Sequence, residues 1–275
     1  MGNIYFELTE RFNAKEINVV LTSGQAVVYY RIAMMSKDGD WIIREDPAAC
    51  SWVLDVLAAR KARYRPGAPL DVRWLAGGWS SHFQFQDAHA RRVRCDFLSR
   101  PPRVEPSVLR RLFSPAGGAE KLVVLDLESL ILTKKTQRQK DYSVIAELAR
   151  LLPEERELLL TTDPDRILAL AHRHGGTMAG TMAGTMDRLP VKTALKGGNR
   201  EEVVVALARE ANSQQELDKH RLEIYEAAGG KYLAEFHRMG IQDLPLVEAH
   251  QEAVALAARL MPEDPAGIRG TDIKP

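Results

Sequence analysis

The sequence predicts an α+β fold: a small mixed sheet with flanking helices, followed by a mostly α-helical C-terminal half. Three observations lead there. Short β-branched or alternating runs recur between helical patterns over roughly the first hundred residues. Pro and Gly then cluster in "SPAGGAE", residues 114–120. Beyond that cluster nearly every apolar pattern has helical spacing. The expected division is an α/β domain over 1–115 and a helical domain over 116–275.

Taken in order, "NIYFELTERFNA" has the apolar spacing of a short amphipathic helix, and "INVVLTS" is a compact strand ending at small residues. "QAVVYYRIAMM" returns to helical texture for about three turns, and "DGDWIIRE" reads as a second strand that starts at its aspartates. "PAACSWVLDVLAARKARY" is a helix, with Asp46 or Pro47 at its start and Pro66-Gly67 beyond its end. "DVRWLAG", "SHFQFQ" and "RRVRCDFLS" alternate as strands, with Gly77-Gly78 at the bend after the first. Helical segments follow, from "LESLILTKKTQRQKDYSVIAELARLL" through "REEVVVALAREA" and "SQQELDKHRLEIYEAAGGKYLAEFHRMG" to "VEAHQEAVALAARLM". The repeat "GTMAGTMAGTM", residues 176–186, reads as a loop: no strand precedes it and no Gly-Lys-Ser/Thr ends it, as a phosphate loop requires. The tail "PEDPAGIRGTDIKP" reads as a frayed terminus.

Composition narrows the function classes. Lys+Arg 38 against Asp+Glu 37 leaves no global basic field to draw in nucleic acid. Cys50 and Cys95 lie far apart, with no Cys or His beside either, which argues against a disulfide framework or zinc site and suits a reducing cytoplasm. Glu7 and Glu10 interrupt the N-terminal segment, so no signal peptide is read there, and no run of about twenty apolar residues is present to cross a membrane. A cytoplasmic protein is expected, and the Arg- and Ala-rich texture suggests a bacterial one.

The chemistry concentrates in two neighbouring stretches, "VVLTSGQAVVYY" and "SKDGDWII". A buried strand ends at Ser23-Gly24 and a helix starts at once. Small residues there let backbone approach a ligand, and the free N–H groups of a helix start favour an anion such as a triphosphate. Asp38 and Asp40 open the returning strand, where residues two apart share a face, so both carboxylates can reach one ion. Hard oxygen ligands of this kind suit Mg²⁺.

A strand, a small-residue turn, a helix and then S/T-x-D-x-D on a strand resembles the DNA polymerase beta-like nucleotidyltransferase superfamily. The closer similarity is to its minimal and abortive-infection-type branches, with patterns L-x-G-G-x-A and R-x-T-x-D-h-D-h. The chain offers "LTSGQA" and "MSKDGDW" in those places. The resemblance implies a third metal-binding carboxylate on a later strand, which falls on Asp96 in "RVRCDFLS". It continues in "DLESLILTKKTQRQKDYSVIAEL", where Lys134, Arg138 and Asp141 are spaced to share one helical face, two cations to clamp phosphates and an acid to orient one of them. It covers about the first 150 residues of the sequence. Departures are Gly39 where an apolar residue is usual, Trp41 where an aliphatic one is, and Ser-Gly in place of Gly-Gly.

The resemblance implies transfer of a nucleoside monophosphate from a nucleoside triphosphate to an acceptor hydroxyl on RNA, a protein or a small molecule. Asp38, Asp40 and Asp96 would hold Mg²⁺ or Mn²⁺, and Ser23, Gly24, Lys134, Arg138 and Asp141 would contact the nucleotide. A homodimer or an antitoxin-like partner belongs to the same expectation. The alternatives are plainer: "DGD" as a turn, Asp96 as a sheet ion pair with Arg92 or Arg94, and the Lys134/Arg138 face as solvated surface. Gly39 leaves open a degenerate copy of the fold that binds without turnover.

Overall fold

A computed structural model describes residues 2–114, 120–174 and 188–271. The fold is α+β, a mixed five-stranded sheet with flanking helices followed by helices alone. The chain runs α1 (Ile4–Phe12), β1 (Val19–Thr22), α2 (Ser23–Tyr29), β2 (Asp38–Ile43), α3 (Pro47–Ala59) and β3 (Arg63–Arg65). It continues through α4 (Val72–Leu75), β4 (Ser81–Gln86), β5 (Arg92–Leu98) and α5 (Pro106–Leu112). The helical part comprises α6 (Leu127–Lys134), α7 (Asp141–Ala149), α8 (Glu154–Leu160), α9 (Pro164–His174), α10 (Leu189–Leu195), α11 (Arg200–Arg238) and α12 (Leu246–Leu260). The repeat "GTMAGTMAGTM" lies outside the described residues.

The strand order is β1-β2-β5-β4-β3, and only β2 and β5 run parallel. Alternation along the strands divides the sheet into two unlike faces. One face carries Leu21, Trp41, Cys95, Phe97, Phe83 and Tyr64, all buried in the main apolar core with Leu8 and Phe12 of α1. The other carries the charged residues described below. The outer edge of β1 is not bare, because Leu21 N–H donates to Val123 O (2.9 Å) and Leu125 N–H donates to Leu21 O (2.9 Å).

Several elements differ from the sequence reading. α3 stops at Ala59: Lys61 takes a left-handed φ of 55°, and Ala62 N–H bonds back to Leu57 O. That exit frees "RYR" to pair with β4, which buries Tyr64 against Phe83 at 4.5 Å between ring centroids. "DVRWLAG" is not a strand but the short helix α4, whose start is capped by Asp71 accepting from Arg73 N–H. α2 is shorter than three turns, at 7 residues. The long helix expected across Lys134 and Asp141 is broken into α6 and α7, whereas two helices expected after residue 200 are one, α11 of 39 residues.

The chain forms two compact units, Met1–Leu125 with Arg221–Pro275, and Asp126–His220. The last helices of the expected C-terminal half therefore belong with the sheet. In that unit Tyr64 Oη lies 2.8 Å from His250 Nδ1 of α12. Trp79 Nε1–H donates to Pro262 O (3.0 Å), so the segment expected to fray is docked as far as it is described. The second unit has its own core of Leu158, Ile167, Leu170, Val191 and Val203. Both cysteines are free and buried. Among the described residues, no helix is long and apolar enough to cross a membrane.

Candidate active site

The register of the sheet places the predicted acids together. Asp40 pairs with Asp96 across β2 and β5, and Thr22 and His82 are the next partners outward on β1 and β4. Arg65 on β3 completes the row. Cross-strand partners share a face, so Thr22, Asp40, Asp96, His82 and Arg65 form one polar row over all five strands. The adjacent row on that face holds Asp38, Arg94, Gln84 and Arg63. Asp38 follows the same alternation as Asp40, which brings all three acids to one face.

Basic side chains hold Asp96 and Asp38. Asp96 Oδ1 lies 2.9 Å from His82 Nδ1 and accepts from Arg65 Nη1 at 3.1 Å. Asp38 Oδ1 accepts from Arg94 Nη1 at 3.4 Å. The ion pair considered for Asp96 is thus real but has other partners, since Arg94 serves Asp38 and Arg92 has no ion pair with Asp96. Two polar atoms in these rows, Thr22 Oγ1 and Arg94 Nε, are buried with no hydrogen-bond partner. Sequence offered Arg94 only as an ion-pair partner for Asp96 and did not single out Thr22. Thr22 carried a signal in hindsight, as the last strand residue before the Ser-Gly turn.

Tyr5 packs on the apolar side of the sheet, beside Trp41, at the start of β2. Its hydroxyl donates to Lys37 O (2.6 Å), and its pKa is pushed up to about 12, chiefly by burial, with Cys95, Asp38 and Asp40 adding to the rise.

The Ser-Gly turn is tightly built. Ser23 opens α2 with a φ of 53°, a left-handed conformation that serine rarely adopts. A side chain at Gly24 would bring its Cβ within 2.1 Å of Ser36 Oγ, so the glycine lets the approach to β2 lie against the start of α2. Gln25 fixes that approach by donating from Nε2 to Ser36 O (2.9 Å) while Asn3 Nδ2 donates to Gln25 Oε1 (3.0 Å).

Gly39 and Trp41 explain each other. Gly39 faces the apolar core, not the acids, and a Cβ there would stand 2.4 Å from the Trp41 ring and 2.5 Å from Tyr5. The indole fills the space that an apolar residue at 39 would occupy. It stacks on Phe97 at 5.3 Å, and its Nε1–H donates to Thr9 Oγ1 (2.9 Å). The departure is an exchange of volume within the core and leaves the carboxylate face untouched.

Lys134, Arg138 and Asp141 belong to the second unit. Although the helix breaks between them, Asp141 bridges both cations, at 3.7 Å from Lys134 Nζ and 2.9 Å from Arg138 Nη2. Lys134 and Asp141 are each only 6% exposed. Lys134 is therefore not a residue of a solvated surface. His174, at the end of α9, lies 2.6 Å from Glu154 Oε2.

The fit to a divalent ion divides. The donor chemistry suits Mg²⁺ or Mn²⁺: three carboxylates share a face, beside an orphaned hydroxyl. The spacing does not. Among the described residues, no group of three or more His, Cys, Asp or Glu side chains is gathered as a metal site. Asp38 and Asp96 instead point their oxygens at Arg94, Arg65 and His82.

No family model and no curated protein sequence matches the chain. Two solved structures from Helicobacter pylori overlap it. One is described as a candidate nucleotidyltransferase, with 12% identity and a TM-score of 0.39 over 79% of this chain and 94% of that one. The other is JHP933, with 12% identity and a TM-score of 0.39 over 82% and 94%. Overlap as loose as this assigns no activity.

Proposed function

We propose that the polar face is the active site of a nucleotidyltransferase that moves a nucleoside monophosphate from a nucleoside triphosphate to an acceptor hydroxyl. The observation that carries the reading is the register: Asp40 lies directly opposite Asp96 on parallel strands, with Asp38 on the same face, one strand beyond a tight Ser-Gly turn. Asp38, Asp40 and Asp96 would hold Mg²⁺ or Mn²⁺, which supplies charge neutralisation for the triphosphate and a lowered pKa for the attacking hydroxyl. Asp96 takes the proton of the acceptor hydroxyl as the new P–O bond forms and pyrophosphate leaves. Arg65 and His82 hold that carboxylate in place until then. Ser23 and Gly24 contact the phosphates. Within the second unit, Asp141 holds Lys134 and Arg138 together as a pair of cations able to bind phosphate oxygens. The acceptor, on RNA, a protein or a small molecule, belongs to the same proposal.

One observation favours the second reading, a fold that binds nucleotide without turnover: Asp38 and Asp96 are already paired with basic side chains. Thermal unfolding with each nucleoside triphosphate, with and without Mg²⁺, separates the readings at the level of binding. The catalytic reading predicts a rise in Tm that requires the metal, and that Asp38→Asn removes. A rise of equal size without Mg²⁺ supports the non-catalytic reading instead.

A further inference from the structure

The polar face of the sheet does not end at the acids. Along β5 the side chains on that face run from Asp96 to Arg94 to Arg92, along β4 from His82 to Gln84 to Gln86, and along β3 from Arg65 to Arg63. Exposure rises in the same order. Asp96, Arg94, His82, Gln84 and Arg65 are half-buried, whereas Arg92, Gln86 and Arg63 are exposed. The face therefore opens to solvent away from the acids, and beyond Asp96 its part on β3, β4 and β5 carries basic and amide groups but no carboxylate.

Two of the arginines are taken, Arg65 by Asp96 and Arg94 by Asp38. The others are available. Among the described residues, Arg63 and Arg92 have no ion pair or side-chain hydrogen bond, and the same is true of the Gln84 and Gln86 amides. Lys37, exposed just before β2, is equally uncommitted. With Arg92 it lines a cavity of about 450 Å³ that reaches Asp38. Asp87 on the same rim is already held, by Arg91 Nε (2.7 Å) and by the N–H groups of His89 and Arg91. Met34 and Met35 complete the rim at 98% and 81% exposed, so neither side chain serves the core.

These groups select one kind of occupant. Guanidinium forks match phosphate oxygens, amides reach base edges and sugar hydroxyls, and a thioether lies favourably against a flat ring. An acidic protein would use the cations but leave the amides and methionines without a role. We infer that the open part of this face binds the end of a single-stranded RNA and leads its terminal hydroxyl to Asp96. The inference names the acceptor for the transfer proposed above and rests on that reading for the chemistry, though not for the binding. In that transfer the hydroxyl oxygen bonds to the α-phosphorus, the bond to pyrophosphate breaks, and the proton passes to Asp96.

The test follows the anisotropy of a fluorescein-labelled RNA of about twelve nucleotides, within the usual span of single-strand sites, with the full chain. Arg63→Ala and Arg92→Ala are each expected to weaken binding about tenfold, the size of one lost charge-assisted contact. Each should also flatten the dependence of log K on log salt by about 0.7. Arg259→Ala, at an exposed position of α12 on the apolar side of the sheet, is expected to alter binding by less than about twofold. All three arginines are exposed, so none of these changes removes a core contact. Absence of RNA binding, or equal weakening by Arg259→Ala, overturns the inference. Equally tight binding of a poly-glutamate of the same charge also overturns it and assigns the face to an acidic protein. Incubation of the wild type with this RNA, cell extract, Mg²⁺ and each α-³²P nucleoside triphosphate separates the two readings. If a protein is labelled and RNA is not, the transfer reading stands and the RNA acceptor falls. If nothing is labelled although RNA binds through Arg63 and Arg92, the transfer reading falls and the RNA surface stands.

Discussion

At the scale of single residues, Gly39 and Trp41 form one unit of packing. Adding a side chain at 39 drives it into two aromatic rings, so Gly39→Val is expected to destabilise the protein by about 1–3 kcal/mol, the usual cost of overpacking. Trp41→Leu leaves a void and is destabilising alone. The double variant Gly39→Val with Trp41→Leu should recover stability relative to the sum of the singles, and a urea unfolding cycle measures that coupling. Strict additivity would show that the two positions do not share a volume. The acids were legible here because D-x-D on a strand has a fixed geometry. Thr22, His82 and Arg65 were not, since a cross-strand row exists only once register is known. The meaning of Gly39 was equally hidden: sequence shows a missing side chain but not the indole that replaces it.

At the scale of elements, the break between α6 and α7 decides what Asp141 does. It brings Asp141, itself buried, between Lys134 and Arg138, where removing one member of a buried ion-pair cluster is costly. Asp141→Asn should therefore cost about 3 kcal/mol of stability, whatever its effect on activity. A variant with unchanged unfolding would restrict Asp141 to orienting the cations. The break itself left no mark in the sequence, because "TKKTQRQKD" holds no Gly or Pro and several good helix formers. It is set by other contacts: Thr136 Oγ1 donates to Asp141 Oδ2 (3.2 Å), and Gln137 N–H donates to Asp218 Oδ2 (3.3 Å) of α11. β3 was hidden in a similar way. "RYR" continues a helical texture, and only the left-handed Lys61 and the burial of Tyr64 separate it from α3.

At the scale of the whole molecule, several weak acids are buried in their protonated forms. Burial pushes Cys50 up to about 12, with Asp71 and Asp46 adding to it, and Tyr5 reaches about 12. Tyr64, Tyr232 and Cys95 are also raised, chiefly by burial. These pKa values exceed those of the unfolded chain, so their contribution to stability is complete below the ordinary thiol and phenol values, about 8.5 and 10. It is lost as pH rises through the folded values. The urea midpoint should fall steadily from about pH 9 to 12, with phenolate absorbance appearing late or together with unfolding. An unchanged midpoint over that interval would show that these groups are not protonated by burial. The near-balance of charge, with 38 basic against 37 acidic residues, was legible at this scale.

The central claim is that the row containing Asp40 and Asp96 performs chemistry. It is tested most directly by following transfer of label from each α-³²P nucleoside triphosphate into cell extract with Mg²⁺, for the wild type and for Asp40→Asn. The account predicts labelled product with the wild type and a loss of about a hundredfold or more in the variant, with unchanged thermal unfolding. Full transfer by a folded Asp40→Asn protein would contradict it.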